Sequence, residues 1–170
     1  DQNRLGGFSE NDGTIDFYLR IKSLLSKNSI VLDLGAGSGS WINDTCDLRR
    51  NIRLIKGNVS KIYGTDIDQD IFENKTIDEA KIMSANQVPV EDSFFDLIIC
   101  DFVLEHVENP KKFVNEINRL LKPGGWFCAR TPHKYSYQAF FARLFPNKHH
   151  QGLLKYIKPD TQDRAFPTKY

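Results

Sequence analysis

The chain has few cysteines and no arrangement of them that builds anything. Cys46, Cys100 and Cys128 are an odd number without CxxC spacing, which leaves no basis for a disulfide framework or a zinc cluster. It also lacks an excess of charge of either sign. Lys and Arg number 23 against 22 Asp and Glu, a formal net charge of +1, so composition gives no general attraction to nucleic acid or to an anionic membrane. No apolar run approaches the roughly 20 residues needed to cross a bilayer, and no basic-then-apolar leader opens the chain. Internal repeats and low-complexity tracts are missing as well. These absences predict a soluble, unexported protein of the reducing cytoplasm, with no nucleic-acid or membrane partner. What is present, 170 residues of which 40% are hydrophobic, suffices for one compact domain with a single core. Because the chain starts at Asp1 and stops just after Phe166-Pro167-Thr168, at least one end is expected to have been cut or to be unseen.

Short β-rich runs alternate with longer segments of helical period, which predicts an α/β fold with a mostly parallel sheet. After a loop rich in Gly, Asn and Asp, the residues Ile15, Tyr18, Leu19 and Leu25 mark one face of a helix. Ile30 to Leu34 reads as a buried strand that runs into Gly35-Ala36-Gly37-Ser38-Gly39, with a helix continuing from Ser40 to about Leu48. Ile52, Leu54 and Ile55 suggest a short extra strand. Lys61 to Thr65 is a strand ending on Asp66, followed by a weak helix through Ile71 and Phe72, and Ala80 to Met83 is a third strand. Phe95 to Cys100 is apolar at nearly every position, as a strand covered on both faces must be, and Asp101 closes it. Asn109-Pro110 is a helix start, an N-cap followed by proline at the first helical position. Phe113, Ile117, Leu120 and Leu121 form its apolar stripe, Lys122-Pro123-Gly124-Gly125 ends it, and Trp126 to Arg130 is a fifth strand. Ser136 to Leu144 carries a further aromatic helical face, with Tyr137, Phe140 and Phe141.

The chemistry concentrates at Asp33-Leu34-Gly35-Ala36-Gly37-Ser38-Gly39, an acidic residue before three alternating glycines at a strand-to-helix turn. Such glycines let a ligand lie on backbone. A dinucleotide fingerprint would place its third glycine at position 40, where Ser40 stands. The Asp33 carboxylate would repel a pyrophosphate and attract a ligand bearing an ammonium group. Asp66, at the end of the next strand, is placed to accept both hydroxyls of a ribose.

From Ile30 to Pro132 these residues resemble the class I S-adenosylmethionine-dependent methyltransferases. The glycine turn, Gly64-Thr65-Asp66, the lead-in Val88-Pro89-Val90-Glu91-Asp92-Ser93-Phe94-Phe95-Asp96 and Leu120-Leu121-Lys122-Pro123-Gly124-Gly125 occur in that family's order. The resemblance implies a Rossmann-like sandwich with helices on both faces of the sheet. It implies a donor site in which Gly35, Ala36 and Gly37 line the methionine portion, Asp33 orients its amino group, Asp66 holds the ribose and Ile67 covers the adenine. Ser84 and Ala85 would read the adenine edge, Ser84 standing where the family carries an acidic side chain. The family's last antiparallel strand pair has no counterpart after Arg130. This divides a single domain of residues 1–170 into an N-terminal loop and helix (1–29), a cofactor-binding core (30–132) and a lid-like helical segment (133–170).

On this reading the protein transfers methyl groups to a small-molecule acceptor on oxygen, nitrogen or carbon. The groups nearest the methyl position are Asp101, Phe102, Glu105 and His106, with His106 the preferred base and Asp101 beside it, counted among the donor-binding residues as well; His133, after the fifth strand, is a second candidate base. The competing reading is that Glu105 and His106 only hydrogen-bond the neighbouring loop. A divalent ion on Asp101, Glu105 and His106 is a weaker alternative, and no metal site is assigned. His149-His150 and the Lys155 to Lys158 run read as solvated. Two other functions stay open: a methyltransferase-like binding module without catalysis, and an NAD-binding oxidoreductase, which Ser40 and Asp33 disfavour.

Overall fold

The computed structural model describes residues 13–84 and 87–131. Its elements, in chain order, are α1 (Gly13–Leu24), β1 (Ile30–Leu34), α2 (Asp47–Arg53), β2 (Lys61–Asp66), β3 (Glu79–Ile82), β4 (Phe95–Asp101), α3 (Pro110–Leu120) and β5 (Leu121–Arg130). Short 3-10 turns at Ser40–Asn43, Gln69–Glu73 and Leu104–His106 complete the order. The five strands form one sheet in the order β3-β2-β1-β4-β5, every pair parallel. The order reverses between β1 and β4, and the chain leaves these two strands in opposite directions. Open α/β sheets bind ligands in the crevice at such a switch.

Burial on both faces explains the near-continuous apolar runs. Val31, Ile62, Leu97 and Ile99 pack with Tyr18 and Ile21 of α1 and Ile52 of α2. Leu32, Leu34, Tyr63, Ile98 and Cys100 point the other way, onto Ile117 and Leu120 of α3. Helices on both faces of a parallel sheet are the arrangement expected from the sequence. Phe95 belongs to the second cluster, out of step with Leu97, because the β4–β5 register slips between Phe95 and Leu97. At the slip, Asp96 accepts from the Ile30 amide at 2.7 Å and from Lys122 Nζ at 2.8 and 2.9 Å, tying three strands together.

Several local expectations are corrected. The segment from Ser40 to Leu48 is not one helix: a 3-10 turn ends at Asn43, and α2 begins only at Asp47, with Cys46 as its cap residue. Residues Ile52 to Ile55 are therefore the end of α2 and the turn after it, and no strand forms there. Ile52 and Ile55 carried the β-like signal because both are buried in the core. On α1 the inward residues are Tyr18 and Ile21, while Leu19 is 51% exposed. Asn109 caps α3 as expected, its side chain accepting from the Lys112 amide at 3.0 Å, but Leu121 already belongs to β5. The N-terminal loop, the Ser136–Leu144 helix with its aromatic face, His149-His150, Lys155 to Lys158 and any last strand pair lie outside the described residues.

Ile98 is fully buried at the middle of β4. Ile98→Ala is expected to cost about 2–5 kcal/mol of stability, read as a lower urea midpoint with an unchanged slope; a loss below ~1 kcal/mol would contradict this placement of the core.

Candidate active site

β1 ends at Leu34 and the chain turns at once. The Gly35 and Ala36 amides both donate to the Thr65 carbonyl of β2, at 2.7 and 3.2 Å. The Gly37 amide donates to Asp66 Oδ2 at 2.9 Å, and Asp66 Oδ1 accepts from the Asp68 amide at 3.0 Å. The glycine turn is thus fastened to the end of the neighbouring strand. A Cβ on Gly35 would stand 2.3 Å from Val103 Cγ2, and one on Gly39 2.3 Å from Asn74 Oδ1, whereas one on Gly37 would meet no heavy atom within 4 Å. All three glycines were expected to leave room for a ligand. In the structure Gly35 and Gly39 make room for protein, and Gly37 faces open space.

A cavity of about 370 Å³ opens beside the turn, a volume in the range of small-molecule sites. Gly35, Asp66, Ile67 and His106 line it, with Leu34, Met83, Phe102, Val103, Val107, Glu108 and Phe113. The structure therefore gathers four of the predicted site residues around one space. Ala36 and Gly37 belong to the turn beside it. Ser84 does not line it: this exposed residue pairs through its backbone with Gln87, at 3.1 and 2.8 Å, and Met83 faces the cavity instead. Ala85 and His133 lie outside the described residues.

The end of β4 is held by ions. Asp101 Oδ1 and Oδ2 accept from Arg130 Nε and Nη2 at 2.7 and 2.8 Å, the bidentate geometry that makes such pairs strong. Oδ2 also accepts from the Tyr18 hydroxyl at 3.2 Å and lies 3.8 Å from Arg53 Nη2. Asp101 was a candidate for catalysis and donor binding; here it anchors α1, β4 and β5 to one another, with neither oxygen left unengaged. The Arg130 guanidinium covers the Phe17 and Phe102 rings at 5.2 and 4.6 Å, and that of Arg53 covers Trp41 and Tyr18 at 4.8 and 5.4 Å. Glu105 is buried and accepts from the Thr131 hydroxyl at 3.0 Å, just past the end of β5. Among the described residues, no group of three or more His, Cys, Asp or Glu side chains is arranged to hold a metal.

Phe102 has a φ of 58°, in the left-handed region that a bulky side chain occupies at a cost of about 1–3 kcal/mol, and it sits on the cavity wall. Sequence reasoning missed Tyr18, Arg53, Arg130 and Asn74 as contributors. Each reaches the site from a distant position, so no local motif announces it.

An open parallel sheet with a glycine turn and an acidic second-strand end, facing a cavity at the switch point, is the arrangement in which α/β domains place nucleotide-bearing ligands. Residues 10–166 match the family described as a methyltransferase domain, and the chain belongs to that family. A sterol 4-C-methyltransferase of Caenorhabditis elegans is 35% identical over 106 residues, covering 61% of this chain and 31% of that protein. A ubiquinone biosynthesis O-methyltransferase of Paraburkholderia phymatum is 27% identical over 137 residues, 76% of this chain and 58% of that one. The chain thus spans between about a third and three fifths of the length of these curated relatives. Two solved structures share the fold: a proposed methyltransferase of Bacillus halodurans C-125, with TM-score 0.55, 21% identity and coverage of 84% of this chain and 67% of that one, and the cyclase SpnF, with TM-score 0.53, 20% identity and coverage of 71% and 45%. No described helix is long and apolar enough to cross a membrane.

The residues present fit S-adenosylmethionine, the donor this family implies. Gly37 offers unobstructed backbone, and each Asp66 oxygen, with one backbone donor apiece, keeps a lone pair for a hydroxyl. Burial under the turn pushes the Asp33 carboxyl up to about 7; Asp101 and Asp66 add to the rise and Arg53 opposes it. A neighbouring ammonium would restore its charge.

The raised value has a thermodynamic consequence. An aspartate with this folded value and an ordinary unfolded value of 3.8 binds more protons folded than unfolded, so its contribution to stability falls as pH rises between them. Asp33→Asn is expected to match the wild type in Tm near pH ~4 and to exceed it by several degrees at pH ~8. A difference that stays flat across that span in thermal scans would refute the burial argument.

Proposed function

We propose that this chain is the donor-binding portion of an S-adenosylmethionine-dependent methyltransferase whose acceptor is a small, largely apolar molecule, methylated on oxygen, nitrogen or carbon. The observation that carries the reading is the glycine turn bonded through Gly37 to Asp66 at the rim of the cavity. Asp66 would hold the ribose hydroxyls, Gly35 to Gly37 the methionine portion, Asp33 its amino group and Ile67 the adenine. Family membership supports S-adenosylmethionine as the donor. The apolar character of the acceptor rests on the walls of the cavity, Leu34, Met83, Phe102, Val103, Val107 and Phe113, and on relatives named for sterol and ubiquinone methylation.

When bound, the donor supplies a methyl group on a sulfonium, already activated for displacement. The protein's own work is to align, to keep water out and, where the acceptor carries a proton, to remove it. His106 is the base on this reading because it lines the cavity beside the glycine turn. The turn Leu104–His106 that carries it is fixed by the His106 amide donating to the Val103 carbonyl at 2.9 Å, and Val103 in turn packs on Gly35. A soluble, cytoplasmic enzyme without a nucleic-acid partner is part of the same proposal.

Calorimetric titration with S-adenosylhomocysteine is expected to give micromolar binding that Asp66→Ala weakens at least tenfold, since about 1.5–3 kcal/mol attaches to each hydrogen bond with a charged group. NAD is expected not to bind. Binding of NAD in place of S-adenosylhomocysteine would overturn the reading. With an accepted substrate in hand, His106→Ala should keep S-adenosylhomocysteine affinity and lower turnover by about 10²–10⁴-fold. Unchanged turnover would remove His106 from the chemistry, and turnover absent from the wild type across apolar acceptors would favour a binding module without catalysis.

A further inference from the structure

We infer that Asn74 is the positioning residue of the donor site, a side chain that never touches the ligand but sets the shape of the turn that does. This rests on the donor reading above. Asn74 follows the 3-10 turn Gln69–Glu73 and is buried. Its Nδ2 donates to the carbonyls of Ala36 and Gly37 at 3.2 and 2.9 Å. Its Oδ1 accepts from the Thr76 amide at 2.8 Å and from the Thr76 hydroxyl at 2.7 Å. The two donors and two acceptor positions of a carboxamide are all used, so the group has one orientation and cannot flip without placing oxygen against two carbonyls.

The turn is consequently gripped from both sides. Its amides go to Thr65 and Asp66, its carbonyls to Asn74. Carbonyls pulled toward Asn74 leave the open side of Gly37 for a ligand, because the peptide planes are fixed at both ends. Gly39 completes the argument: a methyl group there would stand 2.3 Å from Asn74 Oδ1 and 2.7 Å from Cγ, so the glycine keeps the carboxamide seated. The Thr76 hydroxyl, buried with the rest, orients the amide. A preorganised turn binds without losing further conformational freedom, and a loosened one binds more weakly at equal contact.

The test uses the whole chain with S-adenosylhomocysteine as probe. Asn74→Asp keeps the shape and removes both donors; Thr76→Val keeps the volume and removes the orienting hydroxyl; Thr76→Ser keeps the hydroxyl. Affinity by calorimetry is expected to fall about tenfold or more in Asn74→Asp and several-fold in Thr76→Val, and to stay near wild type in Thr76→Ser. A role in stability alone predicts a different order, with Tm tracking the lost methyl of Thr76→Ser and affinity unmoved. Amide exchange in the ligand-free proteins supplies an independent reading: faster exchange confined to Ala36–Gly39 in Asn74→Asp and Thr76→Val is expected. Wild-type affinity in those two variants, or exchange at the turn unchanged, overturns the inference. If the wild type itself fails to bind S-adenosylhomocysteine, the donor reading falls, and the exchange measurement still decides whether Asn74 sets the turn.

Discussion

Everything at the mouth of the sheet depends on the Thr65 carbonyl accepting two successive amides, those of Gly35 and Ala36. A parallel ladder would continue β1 past Leu34, but this pair of bonds ends it and throws the chain outward over the end of β2. From that displacement follow the proximity of Gly37 to Asp66, the contact of Gly35 with Val103 across the β1–β4 gap, and the open side of Gly37. Substituting either glycine with a side chain would press on atoms already in place at Gly35, or fill the space a ligand would need at Gly37.

The charges at the site work against one another to a purpose. Burial and Asp101 raise the cost of ionising Asp33, Arg53 reduces it, and Arg130 donates to both Asp101 oxygens and to the Thr14 hydroxyl. Burial, Asp33 and Asp101 likewise push the Tyr18 phenol well above its ordinary range, so it remains a donor to Asp101. A cationic ligand arriving near Asp33 would meet a carboxyl poised between its two forms, with little net charge to neutralise beforehand.

How much of this was legible depended on whether the cause was local. β1, β2 and β4 were readable because burial on two faces forces consecutive apolar residues, and α3 because its cap is written in two adjacent residues, Asn109 and Pro110. The glycine turn was readable as a turn because Gly35, Gly37 and Gly39 all take positive φ, and Asp66 as a strand end because it closes the apolar run of β2. The break between Asn43 and Asp47 was not readable, since nothing in Asp44-Thr45-Cys46 forbids a helix; it is made by Asp44 gripping Arg49 and accepting from the Cys46 amide. The parts of the site contributed by Tyr18, Arg53, Asn74 and Arg130 rest on bonds to residues far off in the chain, Tyr18 and Asp101 being 83 positions apart, Asn74 and Gly37 37, and Arg130 and Asp101 29, beyond the reach of any motif. For Asp101 the residue was found and its protein partners were not: nothing beside an acidic strand end announces an arginine 29 positions on.

Arg130 also donates to the Thr14 hydroxyl at 2.9 Å, joining positions 116 apart, while Tyr18 reaches Asp101 across 83. The first helix is therefore latched by the last strand described. On the ribosome α1 emerges long before either latch exists, and contacts of such sequence separation must wait for the intervening loop to close. The two latches are therefore expected to close after the contacts of α1 with β1 and α2, which lie nearer in the chain. A nascent chain halted before Arg130 would have Tyr18 and Asp101 in hand but not the fork that grips both Asp101 oxygens and reaches back to Thr14.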